Sequence, residues 1–231
     1  MFGSPDPRSE ALVHKIVECG RTLSRSDVAI FYWFDERHEM GEWQGSAWGS
    51  QFQPNYRTYE AVDPMAPREL AADGTEIAFF QKDRCRRGVV DALWLKCCEE
   101  NDILDEAELL FWKDGVPLAG LALLRNRDGI PYSHEDLHWE SMRSYFEFTV
   151  HSHETVKART LDGFLRHKCQ FSAREIDVVS MIAAGASNMD IAAALGVELS
   201  TIKTHVLRIF DKLGVNSRHA ATSLLQKIYH S

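Results

Sequence analysis

The sequence has no apolar run approaching the roughly 20 residues that a bilayer-crossing helix needs, which excludes a membrane span of that kind. Its first residues, MFGSPDPRSE, lack a basic stretch followed by an apolar core. No secretory signal is therefore expected, and the chain reads as cytosolic with no membrane partner. Cysteine is sparse and odd in number: Cys19, Cys85, Cys97, Cys98 and Cys169. No two have CxxC spacing, and the adjacent Cys97 and Cys98 suit neither a common zinc site nor an easy disulfide. Reduced, buried thiols are expected, with a redox sensor at Cys97 and Cys98 as the alternative. Positive charge is also in deficit, with 26 Lys and Arg against 34 Asp and Glu, a net charge of -8.

The 231 residues suit one large domain or two modest ones, and an apolar fraction of 45% is enough for a real core. The charge is uneven. From Phe164 to Ser231 there are eight Lys/Arg and five Asp/Glu, a net +3, which leaves -11 for the rest. An acidic first part joined to a mildly basic last part fits a sensor attached to a DNA-binding module.

The first part mixes helices and strands. Leu12, Val13, Ile16, Val17 and Leu23 have helical spacing, and DVAIFYWFDE is rich in β-branched and aromatic residues, as a strand is. Tyr56, Tyr59 and Val62 fall three apart, as on one helix face, and Pro64 should end that helix near Asp63. The run from Arg87 to Asn101 predicts another amphipathic helix. AELLFWKDGVPLAGLALLRN predicts a hairpin turning at KDG. Ser133 and Asp136 are spaced as a capping box opening a long helix with Leu137, Met142, Tyr145, Phe146 and Val150. This order predicts an α+β fold, an antiparallel sheet with helices on both faces (α/β/α), over residues 1–160. The polar segment 161–169 reads as a linker.

Residues 170–231 read as all helical. Ser172 with Glu175 and Ser187 with Asp190 form two further capping boxes. Short helices are predicted to start near Ala173, Asn188 and Ser200, with a fourth after Arg218. The tight turn at Gly196 makes the second and third a helix-turn-helix. In GVELSTIKTHVLRIFDKL, with Lys203 at 0° on a wheel of 100° per residue, Ile202, Val206, Ile209, Phe210 and Leu213 gather between about 240° and 340°. Lys203, Thr204, Leu207, Arg208 and Asp211 gather on the opposite side. An exposed Leu207 is poorly explained by solvent, and an apolar residue in a major groove packs on a thymine methyl. In the last helix, Ala221, Leu224, Leu225 and Ile228 recur at three- and four-residue steps, as either core or a dimer face.

The stretch FSAREIDVVSMIAAGASNMDIAAALGVELSTIKTHVLRIFDKLGVNSR resembles the DNA-binding domain of LuxR-type bacterial regulators, shared by quorum-sensing receptors and NarL/FixJ-type response regulators. The resemblance implies a four-helix domain whose third helix enters the major groove of double-stranded DNA, in a homodimer on a near-palindromic site. Lys203, Thr204 and Leu207 would face base edges. Thr201, Arg208 and Lys212 would hold phosphates, with His205 in a packing or phosphate role. Ser187 and Asn188 match the family too and complete the DNA-binding set. Glu198 departs from it, because the family usually has Ser or another small residue there.

The first part lacks the paired acids, central Asp and late Lys of a phosphoacceptor receiver. Its length and the YEAVDP segment instead resemble the ligand domain of quorum-sensing receptors. That resemblance implies that Asp63 accepts a hydrogen bond from a ligand amide and that Tyr59 lines an acyl cavity. Tyr56, Trp43 and Trp48 stand in for the family's upstream aromatics, and Phe79, Phe80 and Trp94 would line the pocket. The implied signal is a small molecule such as an acyl-homoserine lactone. The alternative is a ligand-independent regulator under the control of a protein partner or of a different small molecule. No cofactor, metal or catalysis is expected. The one enzyme-like pattern, HEDLH, places His134 and His138 at a zinc-hydrolase spacing with Glu135 between them, but inside a capping box.

Overall fold

The computed structural model describes residues 7–229 except 36, 47–55, 57, 81–90, 134, 136 and 137. It divides into two compact units that part between His153 and Glu154.

The first unit runs α1 (Pro7–Ser24), β1 (Val28–Phe34), β2 (Met40–Ser46), a single 3-10 turn (Glu60–Val62), α2 (Pro67–Ala72), β3 (Ile77–Phe79), α3 (Ala92–Glu100), β4 (Ile103–Lys113), β5 (Val116–Asn126) and α4 (Trp139–His151). The strands form one antiparallel sheet in the order β2-β1-β5-β4-β3. The predicted hairpin joins β4 to β5. Asp114 and Gly115 there both take positive φ (52° and 78°), which matches the right-handed twist of the strands. Helices α1 and α4 cover one face. A Cβ at Gly20 would come within 2.7 Å of Leu121 Cδ2, so glycine lets α1 lie close on β5. On the other face, Tyr56, Met65, Leu70, Trp94, Cys97 and Cys98 join Ile30, Tyr32, Phe34, Leu110 and Leu124 in one cluster. The sheet is therefore sandwiched by helices, as predicted.

Local boundaries differ. Strand β2 forms in a glycine-bearing stretch, MGEWQGS, that has no clear strand alternation, because pairing with β1 supplies what local propensity does not. Tyr56, Thr58 and Tyr59 are helical and lead into the 3-10 turn, which stops at Asp63 before Pro64, where the sequence predicts that helix to end. The long helix predicted to open at Ser133 starts at Trp139. Ser133 Oγ instead accepts from Glu135 N at 3.2 Å in a local turn.

The second unit contains α5 (Glu154–Gly163), a π turn (Phe164–Lys168), α6 (Ala173–Ala183), α7 (Asn188–Leu195), α8 (Leu199–Leu213) and α9 (Arg218–Tyr229). The segment read as a linker is helical. Leu161 and Leu165 are buried in the cluster that holds Ile176, Val179, Ile202 and Ile209. Polar neighbours masked two apolar residues four apart, which is one helix face. Both predicted capping boxes are present with both of their hydrogen bonds, Ser172 with Glu175 and Ser187 with Asp190.

Candidate functional site

Helices α7 and α8 are joined by a turn closed by Gly196 in the left-handed region (φ 63°). Val197 N donates to Ala192 O at 3.1 Å and Gly196 N to Ala193 O at 3.3 Å, a glycine-closed helix end. Helix α8 follows at once, with Glu198 as an N-cap that makes no side-chain capping bond. Ile202, Val206, Ile209 and Leu213 of α8 are buried against the other helices. Thr201, Lys203, Thr204, Leu207 and Arg208 are exposed. Leu207 is 68% exposed, the apolar member of an otherwise polar face. Thr204 Oγ1 donates back to Ser200 O at 3.1 Å. His205 is half-buried, with its Nδ1 buried and without a partner among the described residues.

The first unit holds a small pocket, partly open to solvent, on the face of the sheet opposite α1 and α4. Ile30, Tyr32, Met40, Trp43, Tyr56, Pro67, Trp94, Ile103, Glu106, Glu108, Ala122 and Leu124 line it. Trp43, Tyr56 and Trp94, singled out in the sequence, are among the lining residues. The Tyr56 ring meets Trp43 edge-on at 5.4 Å and Trp94 at 6.3 Å. Asp63 is 7% exposed and sits behind Tyr56. Its Oδ2 accepts from Tyr56 OH at 2.6 Å and its Oδ1 from Met65 N at 2.7 Å.

Three of the expected pocket residues are corrected. Tyr59 turns its hydroxyl to Glu100 Oε2 at 2.7 Å, away from the cavity lining. Phe79 packs edge-on against Trp139 of α4 at 5.0 Å, because alternation along β3 sends it to the other side of the sheet. Phe80 belongs to the core cluster and does not line the cavity. Trp48 lies outside the described residues.

Sequence reasoning missed Tyr32, Glu106 and Glu108. The two glutamates alternate on β4, a period-2 signal that surrounding apolar residues hid. Tyr32 OH donates to Glu108 Oε2 at 2.9 Å. The Tyr32 phenol lies across β5 at Gly120, where a Cβ would overlap it. Burial, followed by neighbouring acids, pushes Glu106 well above the usual carboxylate range. Burial does the same for Glu108, against the bond from Tyr32.

Residues 169–225 match the family described as bacterial regulatory proteins, luxR family. The C-terminal segment is a luxR-family helix-turn-helix domain. A "Monoamine regulon transcriptional regulator" of Klebsiella aerogenes is 24% identical over 219 residues, which cover 91% of this chain and 88% of that protein. A "Probable transcriptional regulatory protein NarL" of Mycobacterium tuberculosis is 54% identical over 52 residues, 22% of this chain and 24% of that one. Among solved structures, the "N-Acylhomoserine Lactone Dependent LuxR Family" factor CepR2 of Burkholderia cenocepacia aligns with 66% of this chain and 88% of its own, at 13% identity and a TM-score of 0.49.

Within the luxR-family domain, several predicted contacts serve the fold. Ser187 Oγ accepts from Asp190 N at 3.3 Å to cap α7, and Asn188 Oδ1 accepts from Arg218 at 3.2 Å. The same Arg218 also donates to Ala186 O. Lys212 was expected to hold a phosphate and is corrected. Its ammonium donates to Glu175 Oε2 at 2.8 Å and to Gln170 O at 3.1 Å, and lies 5.3 Å from the Phe171 ring centroid. Burial alone would raise Glu175. Bonds from Lys212 and from the Ser172 hydroxyl and backbone outweigh it and hold the carboxyl at about 2. Ala221 and Leu225 are 0% and 1% exposed within the unit, while Leu224 and Ile228 are half-buried against the same core.

Burial weighs against the redox alternative. Cys97 and Cys98 are buried, and burial pushes both thiols up to about 12, so the reactive thiolate is scarce. For the zinc-like pattern, His138 is the N-cap residue of α4 rather than part of it. His134 and Asp136 lie outside the described residues. No helix among the described residues is long and apolar enough to cross a membrane.

Proposed function

We propose that this protein is a sequence-specific transcription regulator that reads DNA with the exposed face of α8 and is switched by a small molecule in the cavity of its first unit. The two-faced character of α8 carries the reading. One stripe is fixed in the domain core, so the opposite stripe is presented at a set angle. Lys203, Thr204 and Leu207 face base edges, and Thr201 and Arg208 hold phosphates, which position the helix without reading sequence. Two copies on a near-palindromic site would set the half-site spacing.

The pocket lined by Trp43, Tyr56 and Trp94 offers the ligand site, and the Tyr59–Asp63–Pro64 spacing makes an acyl-homoserine lactone one class of signal to test there. DNase I footprinting of a bound promoter tests the DNA-reading assignment. Lys203→Ala should lose protection by about tenfold or more in protein concentration, as a lost bidentate base contact does. Equal footprints for wild type and Lys203→Ala would refute it.

A further inference from the structure

The cavity wall carries more carboxyl groups than a neutral lactone uses. Glu106 and Glu108 stand two apart on β4 and both line the cavity. They are 6% and 2% exposed. Asp63, next to them behind Tyr56, already accepts the two bonds given above, and Glu108 accepts from Tyr32. Glu106 Oε2 is buried and has no hydrogen-bond partner among the described residues, although the Glu106 carboxyl shares a hydrogen bond with Glu108. Neither Lys, Arg nor His appears among the described lining residues. Two buried acids that share a hydrogen bond resist full ionisation unless something of opposite charge meets them.

The complement is an organic cation rather than a metal ion. Among the described residues no group of three or more His, Cys, Asp or Glu is placed to hold a metal. The remaining polar wall is aromatic, Tyr32, Trp43, Tyr56 and Trp94, and aromatic faces attract organic ammonium groups. An ammonium carries three donors and no acceptor, which matches the unmet Glu106 oxygen beside Glu108. We propose that the cavity binds a protonated primary amine with an apolar body, its ammonium held by Glu106 and Glu108 and its body against Trp43, Tyr56 and Trp94.

The assignment rests on the reading of this unit as a small-molecule sensor and names the ligand class. Burial favours the protonated acids, so the amine displaces protons on binding and binds more tightly as pH rises. The titratable groups that act on Glu106 and Glu108 in this shift are Asp63, Asp105 and Tyr32, with Tyr56 and the two thiols of α3 coupled to the same acids.

Isothermal titration of the full chain tests this with 2-phenylethylamine and hexylamine, their neutral counterparts 2-phenylethanol and hexanol, and N-hexanoyl-homoserine lactone. Each amine should bind at least about tenfold more tightly than its alcohol. Glu106→Gln should weaken amine binding by a similar factor and leave the alcohols unchanged. The melting temperature of Glu106→Gln without ligand should be no lower than wild type, since one of two coupled buried acids is removed and the amide can still bond Glu108. Amines that bind no better than their alcohols, amines that do not bind, or a Glu106→Gln protein that binds amines like wild type would overturn the proposal. Binding of the lactone alone would overturn the amine class and leave the sensor reading standing. Loss of that sensor reading shows separately, as a footprint unchanged by any compound that binds.

Discussion

Glu175 is the residue whose loss should be felt most widely in the C-terminal unit. Its Oε2 accepts from Ser172 N at 2.8 Å, Ser172 Oγ at 2.9 Å and Lys212 Nζ at 2.8 Å, and so ties the start of α6 to the last turn of α8. The side chain is 9% exposed, so solvent screens these bonds little. The folded state holds the carboxyl at about 2, against an ordinary 4.5. A depression of that size corresponds to about 3 kcal/mol. Because the folded value is the lower one, that stability is fully present above about pH 5 and drains as pH falls toward 2. Glu175→Gln should lower the unfolding free energy of this unit by about 2–3 kcal/mol at pH 7. Variant and wild type should converge on acidification. Urea unfolding followed by circular dichroism measures it. The six tryptophans all lie between residues 33 and 139, so their fluorescence follows the first unit separately. A loss below about 0.5 kcal/mol at pH 7, the range of an ordinary surface change, would refute the reasoning. So would a gap that persists unchanged to pH 2.

Three further outcomes follow from the same geometry. Lys212→Met should destabilise the C-terminal unit comparably by leaving Glu175 unpaired, while the slope of log affinity for DNA against log salt stays as in wild type; a shallower slope would restore Lys212 as a phosphate contact. Glu198→Ser should raise the melting temperature, because a hydroxyl at the uncapped start of α8 adds about 1 kcal/mol, and should tighten DNA binding in a gel-shift titration by removing a carboxylate near phosphate. Gly120→Ala should cost about 1–3 kcal/mol by displacing the Tyr32 phenol and its bond to Glu108, read as a drop in the tryptophan-monitored unfolding midpoint.

Much of the luxR-family domain is legible in its sequence because its signals are local. Ser172 with Glu175, Ser187 with Asp190, and Gly196 each act within one helical turn, and the period of Ile202, Val206, Ile209 and Leu213 fixes which face of α8 is left over. Lys212 was misread for the opposite reason. Its partner, Glu175, is distant in sequence, and an exposed-looking cation at a helix end has no local mark of being spoken for. The same limit applies to Ala221 and Leu225, whose spacing fits a core and a dimer face equally well until α9 is packed.

In the first unit the sequence by itself determined that strands and helices mix, that KDG turns a hairpin, and that Trp43, Tyr56, Asp63 and Trp94 are chemically notable. Those follow from residue type and short-range spacing. Only the tertiary structure decided the strand order, and with it the placement of Tyr32, Glu106 and Glu108 around one cavity. In an antiparallel sheet, the neighbours of a residue are set by register between strands far apart in the chain. Burial then changes what those neighbours are chemically, because a carboxylate enclosed among aromatics has lost the water that would otherwise hold its charge.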